Sequence, residues 1–211
     1  MTTPGEPLVE PPVIRLPPGA LVLLVGPSGA GKTTFARRHF GPSEVLSSDG
    51  FRAIVADDPE DQRATDDAFR LLHLALRLRL SRGRISVVDA TNVEAWARAL
   101  LLDESRRLRR PSVAIVFDLP LDVCLDRNAA RPRPRPPAAI RRQHRWLRDS
   151  IAQLPHEGIT VIHRLRSVGE VDAMSVVRVG APPGGDPRRR NAPKGPQPGD
   201  GTSPSRRLPD P

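Results

Sequence analysis

The chain has 211 residues, which is enough for one domain with a full hydrophobic core. Its net charge is +9, but only Lys32 and Lys194 of its 33 basic residues are lysines, a bias that can follow from genome composition, so charge alone does not indicate nucleic-acid binding. A single cysteine, Cys124, excludes an internal disulfide and a cysteine-based zinc cluster. Because no apolar run reaches membrane-spanning length and the amino end lacks a basic-then-apolar signal pattern, we expect a cytoplasmic protein.

Composition divides the chain into three parts. Residues 1–18 are rich in proline and acid, and we expect an irregular lead-in there. Residues 181–211 consist mainly of proline, glycine, arginine and serine, which predicts a disordered tail with little to bury. Residues 19–180 are therefore the expected folded domain.

Within the expected domain, apolar runs alternate with helical patterns. Strands are predicted at residues 20–25, 44–47, 85–90, 112–119, 160–165 and 176–179. Helices are predicted at residues 68–82, 94–108, 121–130 and 138–154, and six leucines in the first of them predict a largely buried helix. This alternation indicates an α/β fold, with a mainly parallel sheet covered by helices on both faces. Ligands of such folds bind beyond the carboxyl ends of the strands.

A glycine-rich motif follows the first predicted strand. Residues 26–33 fit the phosphate-binding pattern G-x-x-x-x-G-K-[ST], and a helix is expected to begin near Lys32. Glycines let backbone N–H groups point at a polyphosphate, and the helix N-terminus adds positive potential. We expect Lys32 to reach the β- and γ-phosphates and the Thr33 hydroxyl to bind Mg²⁺. The expected nucleoside triphosphate site comprises Gly26, Pro27, Ser28, Gly29, Ala30, Gly31, Lys32, Thr33 and Thr34.

Two other predicted strands lead into carboxylates. Asp49 follows the strand at 44–47, with Arg52 three residues later. Asp49 either orients and deprotonates an acceptor hydroxyl or caps the following helix, and the residues alone do not separate these roles. Arg52 would hold an anionic part of the acceptor. Asp89 lies at the end of the strand at 85–90, where an acid commonly supports Mg²⁺ beside the phosphate loop.

Arginines dominate the segment from residue 127 to residue 148. Prolines at 132, 134, 136 and 137 break this segment, and it contains no acid. An arginine lid over a triphosphate has this composition, because phosphoryl transfer is catalysed mainly by charge neutralisation. A solvated helix face is the alternative and fits Arg142 and Arg148, whereas the lid is favoured for Arg127 and Arg131. The eight residues are Arg127, Arg131, Arg133, Arg135, Arg141, Arg142, Arg145 and Arg148.

Aromatic residues are few, and tyrosine is missing from the sequence. A long base-stacking platform is therefore not expected. Phe51 and Trp146 are the aromatic residues closest in sequence to the expected acceptor and lid segments, and Trp146 is expected in the core.

Taken together, these residues resemble the polynucleotide 5′-hydroxyl kinase domain of bacterial polynucleotide kinase-phosphatases, which are RNA end-healing enzymes. The resemblance implies transfer of the ATP γ-phosphate to the 5′-hydroxyl of RNA or DNA. It implies that Asp49 is the general base and that Arg52 grips the phosphate next to the terminal nucleoside. Arg127 and Arg131 would be lid residues on the donor phosphates. The match covers residues 20–179 and rests on residues 26–34, 44–49, 52, 57–62, 87–93, 117–120 and 127–128.

The sequence departs from this family at two points. The family normally carries a further lid arginine three positions after Arg131, and Pro134 stands there; Arg133 and Arg135 are the candidates to replace it. Phosphatase and ligase modules usually follow the kinase domain in the family, whereas the tail described above follows it in this sequence.

Two other functions stay open at this point. One is a P-loop kinase for a small alcohol such as a nucleoside, a sugar or an antibiotic. The other is an ATP-binding regulatory module whose tail recruits a partner. Arg52 favours a phosphorylated acceptor over an uncharged one, and Asp49 favours an enzyme, because a binding module has no need of a carboxylate beside the acceptor.

Overall fold

A computed structural model describes residues 12–180 of the chain. Its centre is a sheet of five strands: β2 (Leu21–Val25), β3 (Val45–Ser47), β4 (Ser86–Asp89), β5 (Ser112–Phe117) and β6 (Val161–Leu165). They lie in the order β3-β4-β2-β5-β6, and every neighbouring pair is parallel. The expected α/β fold with a parallel sheet is confirmed, and the carboxyl ends of its strands meet at one edge.

Seven helices connect and cover these strands in the described part of the chain. They are α1 (Lys32–His39), α2 (Ser48–Ala56), α3 (Thr65–Ser81), α4 (Ala95–Arg107), α5 (Leu121–Ala129), α6 (Pro137–Ile151) and α7 (Val168–Ala173). Short 3₁₀ turns occur at Gln62–Ala64 and Leu154–His156. Between residues 12 and 180, no helix is both long and apolar enough to cross a membrane.

The central strand β2 shows why helices cover both faces of the sheet. All five of its residues are buried, and successive side chains of a strand point to opposite faces. Val22 and Leu24 pack in a cluster with residues of α1 and α5. Leu21, Leu23 and Val25 pack in a second cluster with leucines of α3 and α4. The apolar run therefore becomes a strand buried on both sides, as in other parallel sheets.

A second, two-stranded parallel sheet corrects one expectation. Val13–Leu16 form strand β1, which pairs with β7 (Ser175–Arg178), so the expected irregular lead-in is wrong for these four residues. Ile14 and Leu16 alternate with less buried neighbours and are fully buried in the core. The partner strand lies far away in the sequence, so no local sequence pattern predicts the pairing of β1 with β7. The remaining lead-in up to residue 11 and the expected tail at 181–211 lie outside the described residues.

Helix α3 is buried on one side only, which corrects the expectation of a largely buried helix. Leu72, Leu76 and Leu80 recur every four residues and are fully buried. The intervening leucines at 71, 74 and 78 are between 37% and 48% exposed. The helix packs one stripe against the sheet and leaves a second apolar stripe at the surface.

Candidate active site

The phosphate loop lies between β2 and α1, as the sequence predicts. Gly29 and Gly31 have φ angles of +85° and +93°, in the left-handed region that favours glycine. A Cβ atom on Gly29 would lie 2.1 Å from the carbonyl oxygen of Cys124, and one on Gly31 would lie 3.2 Å from Nη1 of Arg127. These glycines therefore allow the loop to pass close to α5 and its arginine.

Lys32 is the first residue of α1 and is 8% exposed. Its Nζ donates hydrogen bonds to the carbonyl oxygens of Gly26 and Pro27, each at 2.8 Å. Burial lowers the pKa of this ammonium group to about 8, although the nearby Asp89 carboxylate acts in the opposite direction. The loop thus holds a partly desolvated cation at its centre, and an anion placed there would stabilise its charged form.

Thr33 and Asp89 form a pair beside the loop. The Thr33 hydroxyl donates to Oδ2 of Asp89 at 2.8 Å. Asp89 ends β4 and is paired in register with Leu24 of β2 and Ser47 of β3, so the sheet itself places it there. Burial raises the pKa of Asp89, while the hydrogen bond from Thr33 lowers it.

This pair suits a divalent cation that arrives with a triphosphate. Mg²⁺ is usually bound by one or two carboxylates or hydroxyls together with substrate phosphates and waters, rather than by an all-protein cage. Among residues 12–180 no group of three or more His, Cys, Asp or Glu side chains could hold a metal ion. Thr33 and Asp89 are oxygen donors next to the phosphate loop, and they fit the usual Mg²⁺ pattern.

Asp49 is not the helix cap that the sequence left open as an alternative. The hydroxyl of Ser47 caps α2, because it accepts a hydrogen bond from the Gly50 N–H at 3.3 Å. The Asp49 side chain instead forms an ion pair with Nη2 of Arg52 and lies 3.5 Å from Nη2 of Arg135. It is 44% exposed, and it lines the same cavity as the phosphate-loop residues.

Arg52 lies one turn after Asp49 on α2 and is only 5% exposed. Its Nε donates to the carbonyl oxygen of Pro59 at 2.8 Å. Pro59 lies in the segment 57–62, one of those on which the resemblance rests. Glu60 of that segment lies 3.3 Å from Arg135. Two arginines and two acids therefore form a connected ion-pair network, and all of them except Glu60 line the cavity.

Residues of the arginine segment line more than one cavity. Arg127 and Arg131 line a cavity of about 380 Å³ together with Gly29, Gly31 and Thr34 of the phosphate loop. In the described part of the chain, neither guanidinium group forms a hydrogen bond or an ion pair. We call this the second cavity; it places Arg127 and Arg131 beside the phosphate loop.

The two arginines that flank Pro134 lie in different places. Arg135 lines the cavity that contains Asp49, whereas Arg133 is an exposed side chain that pairs with Asp58 at 3.3 Å. The buried Asn128 holds Arg135 in place, because its amide donates to the Arg135 carbonyl at 2.9 Å and accepts from the Arg135 N–H at 3.1 Å.

Most of these residues meet in one cavity of about 370 Å³ at the carboxyl edge of the sheet, the first cavity. It brings together Lys32 and Thr33 of the loop, Asp89 of β4, Asp49 and Arg52 of α2, and Arg131 and Arg135 of the arginine segment. Its wall also contains Phe69 of α3 and Trp96 of α4, which the sequence reasoning missed, together with Gln62, Thr65 and Gln143. The loop amide of Ser28 donates to the side-chain carbonyl oxygen of Gln143 at 2.9 Å, so α6 also contacts the loop.

The two aromatic residues closest in sequence to the expected acceptor and lid segments do not line the first cavity. Phe51 packs against the core cluster beside α3 and α4. Trp146 is 36% exposed on α6, with the Arg142 guanidinium 5.2 Å from its ring centre, so it is not a core residue. No local pattern distinguishes Phe69 and Trp96, because their position depends on how α3 and α4 pack.

Asn92 follows β4 and has a structural position beside Asp89. It is 3% exposed with a φ of +48°, and its amide donates to the Leu24 carbonyl at 2.8 Å. The buried Arg98 donates to the Asn92 carbonyl at 2.8 Å and pairs with Glu157. This network ties the end of β4 to β2 and so supports Asp89.

Strand β2, the glycine loop, Lys32 at the start of α1 and Asp89 on the adjacent strand define a P-loop protein. The sequence model of the family described as AAA domain matches residues 21–154, which is more than half of the chain. The chain belongs to this family.

Three solved structures are similar to parts of this chain. A chain of the Pnkp1/Rnl/Hen1 RNA repair complex is 23% identical, with a TM-score of 0.54, over 66% of this chain and 47% of that chain. APS kinase CysC of Mycobacterium tuberculosis is 20% identical over 74% of this chain and 92% of its own, with a TM-score of 0.47. The tunicamycin resistance protein of Deinococcus radiodurans is 17% identical over 61% and 80%, with a TM-score of 0.43.

The first of these likenesses concerns the fold alone, because the identity is low. The chain also spans only about half of the length of that RNA repair chain. No curated protein matches the chain.

Proposed function

We propose that the protein is an ATP-dependent polynucleotide 5′-hydroxyl kinase, which moves the γ-phosphate of ATP to the 5′-hydroxyl of RNA or DNA. One observation carries this proposal: the carboxylate of Asp49 shares the first cavity with Lys32 and Thr33 of the phosphate loop and with the guanidinium groups of Arg52 and Arg135. An alcohol that is to be phosphorylated needs a base beside the donor phosphate, and an alcohol attached to a phosphate needs a cation.

The donor would occupy the phosphate loop. Lys32 is expected to hold the β- and γ-phosphates, and the amides of residues 26–34 to cradle the chain of phosphates. Thr33 and Asp89 would hold Mg²⁺, which neutralises charge on the β- and γ-phosphates when it is bound. Arg127 and Arg131 would close on the donor from the second cavity and stabilise charge in the transition state.

The acceptor would enter the first cavity with its 5′-hydroxyl beside Asp49. The Asp49 carboxylate takes the hydroxyl proton, and the hydroxyl oxygen forms a bond to the γ-phosphorus. The bond from that phosphorus to the oxygen bridging the β- and γ-phosphates breaks, and ADP leaves with the electron pair. A general base must lie within reach of the proton that it removes. Asp49 lines the same cavity as Lys32 and Thr33, where the donor phosphates would be held.

Arg52 and Arg135 would serve the phosphate of the acceptor. Both guanidinium groups are paired with acids in the structure, Arg52 with Asp49 and Arg135 with Asp49 and Glu60. A phosphate beside the terminal nucleoside would compete with these carboxylates for the same donors. Binding of an anionic acceptor would then free Asp49 from its arginine partners and leave it ready to take a proton.

The resemblance stated above extends the proposal to a role in the healing of RNA or DNA ends. A small alcohol such as a nucleoside, sugar or antibiotic is the competing acceptor, and a regulatory ATP-binding module is the competing function without catalysis.

One assay tests the proposal. Purified protein is incubated with γ-labelled ATP and Mg²⁺, and with 5′-hydroxyl RNA or DNA oligonucleotides or a panel of small alcohols. We expect label at the 5′ end of the oligonucleotides, and none when the 5′ end is already phosphorylated. Label on a small alcohol alone would identify the competing kinase, and ATP binding without any transfer would identify the regulatory module.

A further inference from the structure

The groove between α3 and α4 exposes an apolar surface that the proposed reaction does not use. It is a cavity of about 530 Å³, within the range of small-ligand sites, which is about 300–1,000 Å³. Trp96 is 65% exposed, Leu100 is 52% exposed and Leu74 is 48% exposed. We call it the α3–α4 groove; its apolar and aromatic wall is formed by Phe69, His73, Leu74, Trp96, Ala97 and Leu100.

This groove begins where the first cavity ends. Thr65, Phe69, Trp96 and Ala97 line both of them, so these four residues form the boundary between the two spaces. A ligand whose reacting end lies beside Asp49 and which is too long for the first cavity therefore has a continuous path into the groove. This continuity favours an extension of the acceptor over an unrelated partner as the occupant.

The charges at the groove favour a flat, uncharged group within it. Arg70 and Arg77 line it and are well exposed, but each is paired with an acid, Asp67 and Glu104 respectively. Asp66 also lines the groove. Positive and negative charges therefore nearly balance around an apolar wall, and stacking on the indole is the main interaction that the groove offers.

We propose that the α3–α4 groove binds the second nucleobase of the acceptor strand by stacking on Trp96. This inference rests on the proposed function, because it assigns the part of a polynucleotide that follows the 5′-terminal nucleoside. One exposed indole accommodates one base, so the site does not require the long aromatic platform that the composition excludes. Every base has a π-face, and the groove would therefore bind any second base, with little preference for sequence.

A double-substitution cycle tests the contact through kinetics. The acceptors are two 5′-hydroxyl trinucleotides that differ only in an abasic second position, and the proteins are wild type, Trp96→Ala, Trp96→Phe and Trp146→Ala. We expect Trp96→Ala to raise KM for the intact trinucleotide by roughly 5- to 150-fold, the range for losing one stacked base. In the Trp96→Ala protein, removing the second base should then raise KM little further.

Two control variants sharpen this cycle. Trp96→Phe retains a ring and should keep most of the preference for the intact acceptor. Trp146→Ala removes the other tryptophan, which lies on α6, and should leave the penalty for an abasic second position at its wild-type value. If the effects of Trp96→Ala and of base removal simply add, the second base does not contact Trp96 and the inference is wrong.

A binding measurement separates this inference from the proposed function. In Trp146→Phe, Trp96 is the single tryptophan, so indole fluorescence reports on Trp96 alone. A 5′-phosphorylated oligonucleotide, which cannot accept phosphate, should quench this fluorescence, and the same oligonucleotide with an abasic second position should not.

The possible outcomes lead to different conclusions. Quenching in a protein that phosphorylates no polynucleotide would keep the base site and reject the kinase function. Transfer to 5′-hydroxyl ends without quenching would keep the function and reject the base site. A fluorescence change that follows protein concentration, or that an apolar peptide causes while the oligonucleotide does not, would show that the groove is a protein interface and would overturn the inference.

Discussion

The proposed donor side and the proposed acceptor side of the cavity are built from the sequence in different ways. Apart from the lid arginines, the donor side consists of residues 26–34 and Asp89, and all but one of these come from a single continuous loop and helix. The acceptor side consists of Asp49, Arg52, Arg135, Phe69 and Trp96, which come from four separate segments. The donor cation Lys32 bonds to backbone carbonyls, whereas the acceptor arginines are paired with carboxylates.

This difference has a consequence for how each side responds to its ligand. A triphosphate would enter a loop whose backbone already has the required conformation. An anionic acceptor would have to replace existing ion pairs between arginines and acids, so its binding would change the surroundings of Asp49. Substitutions on the donor side should therefore affect every acceptor alike, and substitutions on the acceptor side should discriminate between acceptors.

The largest effect is expected from Lys32→Ala. Loss of the ammonium group removes the charge that the β- and γ-phosphates require, so transfer to every acceptor should be abolished. The fold should persist, because the side chain bonds only to carbonyl groups of its own loop. Activity and melting temperature are measured together, with the exposed surface variant Arg107→Ala as the matched loss of a cation. Full activity in a folded Lys32→Ala protein would contradict the donor-site assignment.

Asp49→Asn should act on the chemical step. The amide has nearly the same shape but cannot take the hydroxyl proton, so turnover should fall by about 10²- to 10⁴-fold. Affinity for ATP should survive, because Asp49 does not contact the phosphate loop's backbone. Single-turnover kinetics and nucleotide binding separate the two quantities. Unchanged turnover would restrict Asp49 to a role in holding Arg52 and Arg135.

The pKa of Lys32 predicts a pH dependence of nucleotide binding. In the free protein this pKa is about 8, below the ordinary value of 10.5, because of burial. Above pH 8 a triphosphate must therefore bind together with a proton, and affinity should fall by up to about tenfold per pH unit. Binding of a non-hydrolysable ATP analogue is measured between pH 7.5 and 9.5. Lys32→Met should show weaker binding without this slope, and a flat wild-type curve would refute the assignment.

The same pKa has a matching effect on the nucleotide-free protein. Between pH 8 and 10.5 the unfolded chain binds more protons at Lys32 than the folded protein does. The contribution of this group to the free energy of unfolding therefore rises with pH across that window.

The smallest effect is expected from Asn128→Ala. Its amide makes two hydrogen bonds to the backbone of Arg135, and their loss should cost about 1–3 kcal/mol of stability and loosen the arginine. Turnover should fall several-fold with polynucleotide acceptors, while ATP affinity stays close to that of wild type. Arg133→Ala serves as the control, because Arg133 lies outside the first cavity. An equal loss of turnover in Asn128→Ala and Arg133→Ala would show that the position of Arg135 does not affect transfer to polynucleotides.

The sequence predicts the donor side well because its determinants are local. The pattern of residues 26–33, the apolar run before it and the acid at Asp89 each occupy a short segment, and the sheet register then brings Asp89 beside the loop. The strands β2, β4 and β5 are equally well predicted, since each contains a buried apolar run. Their bounds differ from the predicted ones by only one or two residues.

The missed features depend on contacts between distant segments. Strand β1 pairs with residues about 160 positions later, and Trp96 joins the site only because α3 and α4 pack side by side. The exposed stripe of α3 has the same leucines as its buried stripe, so composition could not separate them. The capping question at Asp49 was settled by the orientation of Ser47, which the sequence does not specify.

The difference between the donor side and the acceptor side is tested most directly by Arg52→Ala, assayed with two acceptors that differ by one phosphate. Values of kcat/KM are measured for a nucleoside and for the same nucleoside 3′-phosphate, in wild type and in the variant. We predict that wild type prefers the phosphorylated acceptor and that Arg52→Ala loses roughly tenfold or more of that preference, because a charge-assisted grip on the phosphate is gone. If the variant weakens both acceptors equally, or if wild type prefers the uncharged nucleoside, the polynucleotide account is wrong.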